Sequence, residues 1–255
     1  MTPESPADVE RRFGGLRRLH RDAGYARVRA ARVAVVGLGG VGSWAVEALA
    51  RSGVAELTLI DLDHIAESNI NRQVQALGAT LGQSKAQALA ERVADIHPGC
   101  SVHCVEEFAS AENWPTLLGR PVDAVIDACD QVRAKQALAA WALREGVAYV
   151  CVGAAGGKQL AQAVEIEDLS ATTHDPLLAA LRQRLRQHEG AARKGLIGVR
   201  CVFSRESVCA PRGAEGEGNG QGNLSCHGYG SSVTVTASFG FAAAGEAIQQ
   251  LLCSP

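Results

Sequence analysis

Six polar side chains crowd into one stretch of this chain. Residues 61–73 read D-L-D-H-I-A-E-S-N-I-N-R-Q, which brings Asp61, Asp63, Asn69, Asn71, Arg72 and Gln73 together. Lys85 follows in G-Q-S-K, and Asp127 and Asp130 follow in V-I-D-A-C-D. A carboxylate at the end of a strand accepts hydrogen bonds from ribose hydroxyls. A second carboxylate can hold Mg²⁺ through oxygen. An arginine and a lysine neutralise charge that develops on phosphoryl oxygens. Singly, Arg72, Lys85 and the aspartates each read as solvated surface charges. Gathered in this order behind a glycine turn, they point to chemistry on a nucleoside triphosphate.

The glycine turn lies upstream, where residues 33–44 read VAVVGLGGVGSW. Gly37, Gly39 and Gly42 fit the G-x-G-x-x-G spacing that lets backbone approach a phosphate. Alone, that spacing serves a dinucleotide as well as ATP, and Asp61 suits the ribose of either. Arg72, Lys85 and the later aspartates favour ATP, because a nicotinamide enzyme needs no such set around its phosphates. Gly40, which the dinucleotide pattern does not require, adds a further position without a side chain.

Elements must carry these residues. Val33 to Val36 are continuously apolar, as expected of a parallel strand covered on both faces. The reading gives strands at 32–36, 56–60, 101–106, 122–126 and 147–152. Helices fall at 43–52, 82–97 and 132–144, and 64–79 is polar and irregular. In the 82–97 helix Ala86, Leu89, Ala90 and Val93 recur at helical spacing, and Pro98 stops it. Alternation of strand and helix predicts an α/β fold, a doubly wound, mostly parallel Rossmann-like sheet with helices on both faces. Residues 1–31 form a basic helical arm and 32–160 the nucleotide-binding region. Residues 161–255 form a C-terminal extension of the same domain, with antiparallel strands at 162–166 and 199–203 flanking a helix at 176–187. A mobile Gly-rich loop is expected at 209–227. The apolar window 233–252 contains Glu246, Gln249 and Gln250 and reads as one buried closing helix, with no stable membrane insertion.

Composition narrows the class further. The chain has 255 residues, 47% of them hydrophobic, as in ordinary globular proteins. Lys and Arg total 25 against 27 Asp and Glu, so it is not a globally basic nucleic-acid coat. Local basic clusters remain: Arg182, Arg186, Arg193 and Lys194 form one, and Arg11, Arg12, Arg17, Arg18 and Arg21 another. Either can make salt-dependent phosphate contacts. None of the 8 cysteines falls in a C-x-x-C pair, so no structural zinc is expected. Glu4, Asp8 and Glu10 interrupt any apolar core near the start. A cytoplasmic protein with reduced thiols is expected.

G-x-G-G-x-G-S, D-x-D, S-N-x-x-R-Q, G-x-x-K and the aspartate after the fourth strand together resemble the adenylating enzymes related to ubiquitin activators. The resemblance covers roughly residues 11–170. It implies ATP-dependent adenylation of a carboxylate, with Asp61 on the ribose and Asn69, Arg72 and Lys85 on the phosphates. It also implies Asp130 on Mg²⁺, a homodimer, and an N-terminal arginine reaching the partner's ATP; Arg12 and Arg18 are the candidates for that arginine. Activators of sulfur-carrier proteins in this family carry two C-x-x-C pairs, which are missing here.

R-F-G-G, D-P-L-x-x-x-L-R-x-R-L at 175–185, C-V-F-S and T-x-x-F-G-F are similar to one branch of the family over nearly the whole chain. That branch cyclises threonylcarbamoyladenosine in tRNA. The resemblance implies tRNA as substrate, and cysteine desulfurase systems or sulfur acceptors as partners. It also places a cysteine, here Cys226, where a thioester can form; in N-L-S-C-H-G the neighbouring His227 could activate it.

Overall fold

The computed structural model describes residues 8–208 and 229–253. Cys226 and the Gly-rich stretch lie outside the described residues. Seven strands form one sheet in the order β3-β2-β1-β4-β5-β7-β6. They are β1 (Arg32–Val36), β2 (Glu56–Ile60), β3 (Ser101–Val105), β4 (Ala124–Asp127), β5 (Ala148–Val152), β6 (Val164–Asp168) and β7 (Arg200–Ser204). All pairs are parallel except β6 with β7. The architecture is the expected one, with antiparallel pairing at one edge only.

β1 sits between β2 and β4, so successive connections leave it in opposite directions. That reversal opens a crevice at the carboxyl ends of β1 and β4, where doubly wound sheets bind ligands. The helices α1 (Val9–Ala30), α2 (Gly42–Arg51), α3 (Lys85–Ile96), α4 (Val132–Glu145), α5 (Pro176–His188) and α6 (Val233–Cys253) surround the sheet. Two apolar cores lie on its two faces. One packs β1 and β2 side chains against α2, α3 and α6; the other packs β4, β5 and β7 against α4 and α5.

Several ends move by one residue, β4 begins at Ala124 rather than at 122, and three further elements differ for a local reason. α3 begins at Lys85 rather than at 82, because Gly82 takes a positive φ of 81° and Ser84 bridges back to His64. β6 begins at Val164, because 161–163 form a short 3-10 turn. α1 is interrupted at Arg21, a non-glycine residue at φ 60°.

The closing helix is α6 throughout, including the β-branched V-T-V-T start. Burial of Val235, Phe239, Ala243 and Ala247 on one face outweighs local strand preference. Its polar residues meet the sheet: Arg200 Nε donates to Glu246 at 2.8 Å, and Tyr149 N donates to Gln250 at 3.1 Å. Among the described residues no helix is long and apolar enough to cross a membrane.

Carboxylates fasten the layers. Arg51 and Arg92 donate to Glu47 at 2.7 and 2.6 Å, Arg32 to Asp123 at 2.7 Å, and the Ile197 and Gly198 amides to Asp168 at 2.9 and 2.7 Å. Burial pushes the Glu47 carboxyl up, and the two arginines more than reverse it. The Arg32 hydrogen bond holds Asp123 low. For Asp168 burial again opposes, and hydrogen bonds led by the Ile197 amide prevail. All three folded values therefore lie below the unfolded ones. Their stabilisation is complete above the ordinary carboxylate range of about 4 and is lost as pH falls through the depressed values. Thermal unfolding followed by circular dichroism is expected to hold its midpoint down to about pH 5 and drop below about pH 4. A midpoint that rises on acidification contradicts this.

Candidate active site

A cleft of about 330 Å³ opens at the predicted crevice. Its floor is the glycine turn. Gly37 has φ 85°, and a Cβ there would stand 2.9 Å from the Ala128 carbonyl and the Cys129 nitrogen. A Cβ on Gly42 would fall 1.8 Å from the Gly37 oxygen, so the turn closes only with glycine at both places. Gly42 therefore shapes the turn from the first position of α2 and is not part of the cleft lining. Gly39 and Gly40 do line it. Val41 gives α2 no side-chain cap, so the positive end of the helix stands beside these glycines.

A Cβ on Gly39 would meet nothing within 4 Å. Gly39→Ala is therefore expected to melt like the parent while ATP affinity falls about tenfold, because the methyl enters the phosphate space. Thermal melts and an ATP titration check this. Equal loss in both would remove Gly39 from the floor.

Asp61 stands at the mouth of β2, 6% exposed. Leu38 N donates to its Oδ2 at 2.7 Å and Asp63 N to its Oδ1 at 2.9 Å. Burial raises its pKa, and the charge of Lys85 works the other way. The carboxylate is thus held in place by backbone and keeps lone pairs for ribose hydroxyls. Lys85, the first residue of α3, forms an ion pair with Asp63 at 2.7 Å. Asn69 Oδ1 accepts from Ala66 N at 3.0 Å, and the residue lines the cleft. Gln73 lines the same wall.

Arg72 is held by one nitrogen only. Its Nη1 donates to Ser68 O at 2.7 Å and to Asn71 Oδ1 at 2.9 Å, while its buried Nε has no partner among the described residues. A buried guanidinium donor left unpaired costs free energy unless something fills its place. Arg72 lines the cleft, and guanidinium geometry matches phosphate. Asp130 is exposed on the wall after β4 and pairs with no described residue.

Two candidate nucleotide ligands have other tasks. Asp127 is fully buried and absent from the cleft wall. Its carboxylate accepts from Lys135 Nζ at 3.0 Å, Tyr149 OH at 2.6 Å and Cys129 N at 3.2 Å. Asn71 turns away from the cleft wall, accepting from Arg72 and donating to Ser231 O at 3.1 Å.

Two basic candidates are also engaged elsewhere. Arg12 Nη1 donates to Asp95 O and Ile96 O at 2.7 and 2.6 Å, capping the far end of α3 from Lys85. Across the 12 residues of α3 that is roughly 18 Å from the cleft. Arg182 Nη1 donates to Leu169 O, Thr172 O and Thr172 Oγ1. Through that nitrogen it holds the chain before α5. Arg186 donates to Ala192 O at 3.1 Å, while Arg193 and Lys194 are exposed. Arg18 is exposed on α1.

The structure adds wall residues that sequence reading missed. Gly153, Ala154, Ala155 and Gly156 follow β5 into the cleft, and Asp175 holds them by accepting from Ala154 N at 2.8 Å. Phe108, Leu177 and Thr236 come from three different connections and helices. They left no local signal. Lys135 did leave one, a charged residue on the apolar face of α4 beside Ala134, Leu138 and Ala139.

Comparison with known proteins agrees with this geometry. The model of the ThiF family matches residues 12–254. The chain is 42% identical over 247 residues to tRNA threonylcarbamoyladenosine dehydratase of Haemophilus influenzae, covering 96% of this chain and 95% of that one. It is 40% identical to the enzyme of the same name from Escherichia coli strain K12, covering 94% and 93%. A crystal structure of E. coli tRNA N6-threonylcarbamoyladenosine dehydratase in complex with ATP matches with a TM-score of 0.85 and 39% identity, over 95% and 94% of the two chains. The glycine floor, the half-paired arginine and the full-length likeness meet in one conclusion: this chain belongs to the ThiF family.

Proposed function

We propose that the chain dehydrates N6-threonylcarbamoyladenosine at position 37 of tRNA, with ATP activating the threonyl carboxylate. The observation that carries this reading is Arg72 on the cleft wall beside the glycine turn, its buried Nε unpartnered among the described residues. It stands in a chain similar over its length to enzymes named for that reaction.

A carboxylate is a poor electrophile, since its charge repels nucleophiles and oxide is a poor leaving group. Attack of its oxygen on the α-phosphorus of ATP releases pyrophosphate and leaves an acyl-adenylate. A neighbouring nitrogen of the same substituent then attacks the acyl carbon, closing a five-membered ring with a large proximity advantage. AMP departs with one carboxylate oxygen, and the nitrogen gives up its proton. The nucleoside is lighter by one water.

The chain's residues divide the work. Gly39 and Gly40 let backbone approach the α-phosphate, and Arg72 and Lys85 offset the negative charge that gathers there. Asp61 orients the ribose. Mg²⁺ fits the donor set, because Asp130 offers a free carboxylate and this ion takes one or two carboxylates together with phosphate oxygens. When bound it neutralises phosphate charge. Arg18 is the remaining candidate to reach the ATP of a second copy in a homodimer, and a cytoplasmic setting suits a tRNA substrate.

For tRNA contact, Arg193 and Lys194 are the exposed members of the cluster to test. Their double change to glutamate is expected to weaken tRNA binding, with a shallower salt dependence, and to leave ATP affinity unchanged. Unchanged tRNA affinity excludes this face.

The decisive experiment supplies ATP, Mg²⁺ and threonylcarbamoylated tRNA and weighs the nucleoside by mass spectrometry. Loss of one water is the expected result. ATP turnover that instead requires the C-terminal glycine of a carrier protein overturns the reading. Cys226→Ser in the same assay tests the thioester route, which unchanged cyclisation removes.

A further inference from the structure

Behind the cleft, one buried polar group serves no contact with the nucleotide space. Lys135 and Asp127 are both fully buried, an ion pair of 3.0 Å inside the core of β4, β5 and α4. Taking two charges out of water is costly, and apolar residues of similar volume at such a place are often neutral or better for stability. Stability therefore does not account for the pair.

Its contacts converge on the backbone at the end of β4. Lys135 Nζ donates to the Asp127 carbonyl at 3.1 Å as well as to its carboxylate. Asp127 Oδ1 in turn accepts from Cys129 N, and Tyr149 OH anchors Oδ2 at 2.6 Å. In front, Ala128 N donates to Val36 O at 2.8 Å, and the Ala128 carbonyl lies where Gly37 has no Cβ. The segment 127–129 is thus gripped from behind by side chains and from the front by the glycine turn. Asp130 is the next residue, exposed in the cleft and otherwise unsupported.

We propose that Lys135, Asp127 and Tyr149 are positioning residues that fix segment 127–129, so that Asp130 meets nucleotide-bound Mg²⁺ already in place. The inference rests on the ATP-dependent reading above. A flexible segment would have to be ordered at each binding event; the buried triad removes that step in advance. It acts as a supporting layer for a metal ligand, whose loss elsewhere typically weakens metal affinity by about 10–100-fold.

The test compares the parent with Tyr149→Phe and with the double variant Asp127→Leu/Lys135→Met, which leaves no orphaned charge. Calorimetric titration of ATP is run with Mg²⁺ and with chelator, alongside thermal melts. In chelator all three proteins are expected to bind ATP equally. With Mg²⁺ the double variant binds about tenfold and Tyr149→Phe about threefold more weakly. The inference is overturned if both variants keep the parental gain from Mg²⁺, or if melting falls while that gain stays intact. If the double variant fails to fold, Tyr149→Phe decides alone. A parent that binds no ATP in either buffer brings down the ATP-dependent reading itself, whereas parental ATP binding with unaltered variants removes only the triad's role.

Discussion

Arg72→Ala is expected to slow carboxylate activation by about 10²–10³-fold, the scale of losing one preorganised donor to a developing oxyanion. The argument rests on asymmetry within the guanidinium. Nη1 is tied to Ser68 and Asn71, and the stem lies against Gly40, so the side chain stays in place before any ligand arrives. Nε has no partner among the described residues. Most of the loss should therefore appear in the rate of ATP–pyrophosphate exchange rather than in the fold. Arg72→Lys should fall between, because an ammonium keeps the charge and loses the fork. An exchange rate within threefold of the parent would remove Arg72 from the chemistry.

The largest effect on stability belongs to Lys135→Ala. This change leaves the Asp127 carboxylate fully buried with Tyr149 OH and Cys129 N but no counter-charge. Stranding one partner of a buried pair costs about 3–5 kcal/mol. Against a total of about 5–15 kcal/mol for a typical domain, that is a large fraction. Burial pulls the Lys135 ammonium's pKa down, and the Asp127 carboxylate more than reverses it, so the charge persists across working pH. Denaturant unfolding is expected to shift its midpoint sharply for the single variant. A shift under 1 kcal/mol, well below the usual range, would mean that water or a rearranged partner already compensates Asp127.

What could be read in advance followed from local rules. β1 declared itself by four consecutive apolar residues, and the glycine turn by its spacing. Asp61, Arg72 and Lys85 came from one segment and the helix that follows it, so adjacency in sequence became adjacency in the cleft. The misread positions were those decided at a distance. Asp127 and Asp130 look equivalent in V-I-D-A-C-D, yet the first is the last residue of β4, buried in the core, and the second lies past the strand's end in the cleft. Arg12 and Arg182 looked like free charges, and each caps backbone carbonyls that only folding brings near. The walls from Gly153, Leu177 and Thr236 depend on strand order, which no short motif encodes.

Gly240 draws α6 so close to α2 that a Cβ there would strike Val41 O at 2.6 Å and Trp44 Cβ at 2.7 Å. α6 follows every strand of the sheet, whereas α2 follows the first. During synthesis, the glycine turn and α2 leave the ribosome long before the helix that backs them. The apolar surface around Trp44 and Ala45 waits uncovered through the whole emergence of the sheet, in the kind of partly built state that chaperones protect. The wall that Thr236 gives the cleft is thus made long after the glycine floor, whose signature is written almost at the beginning.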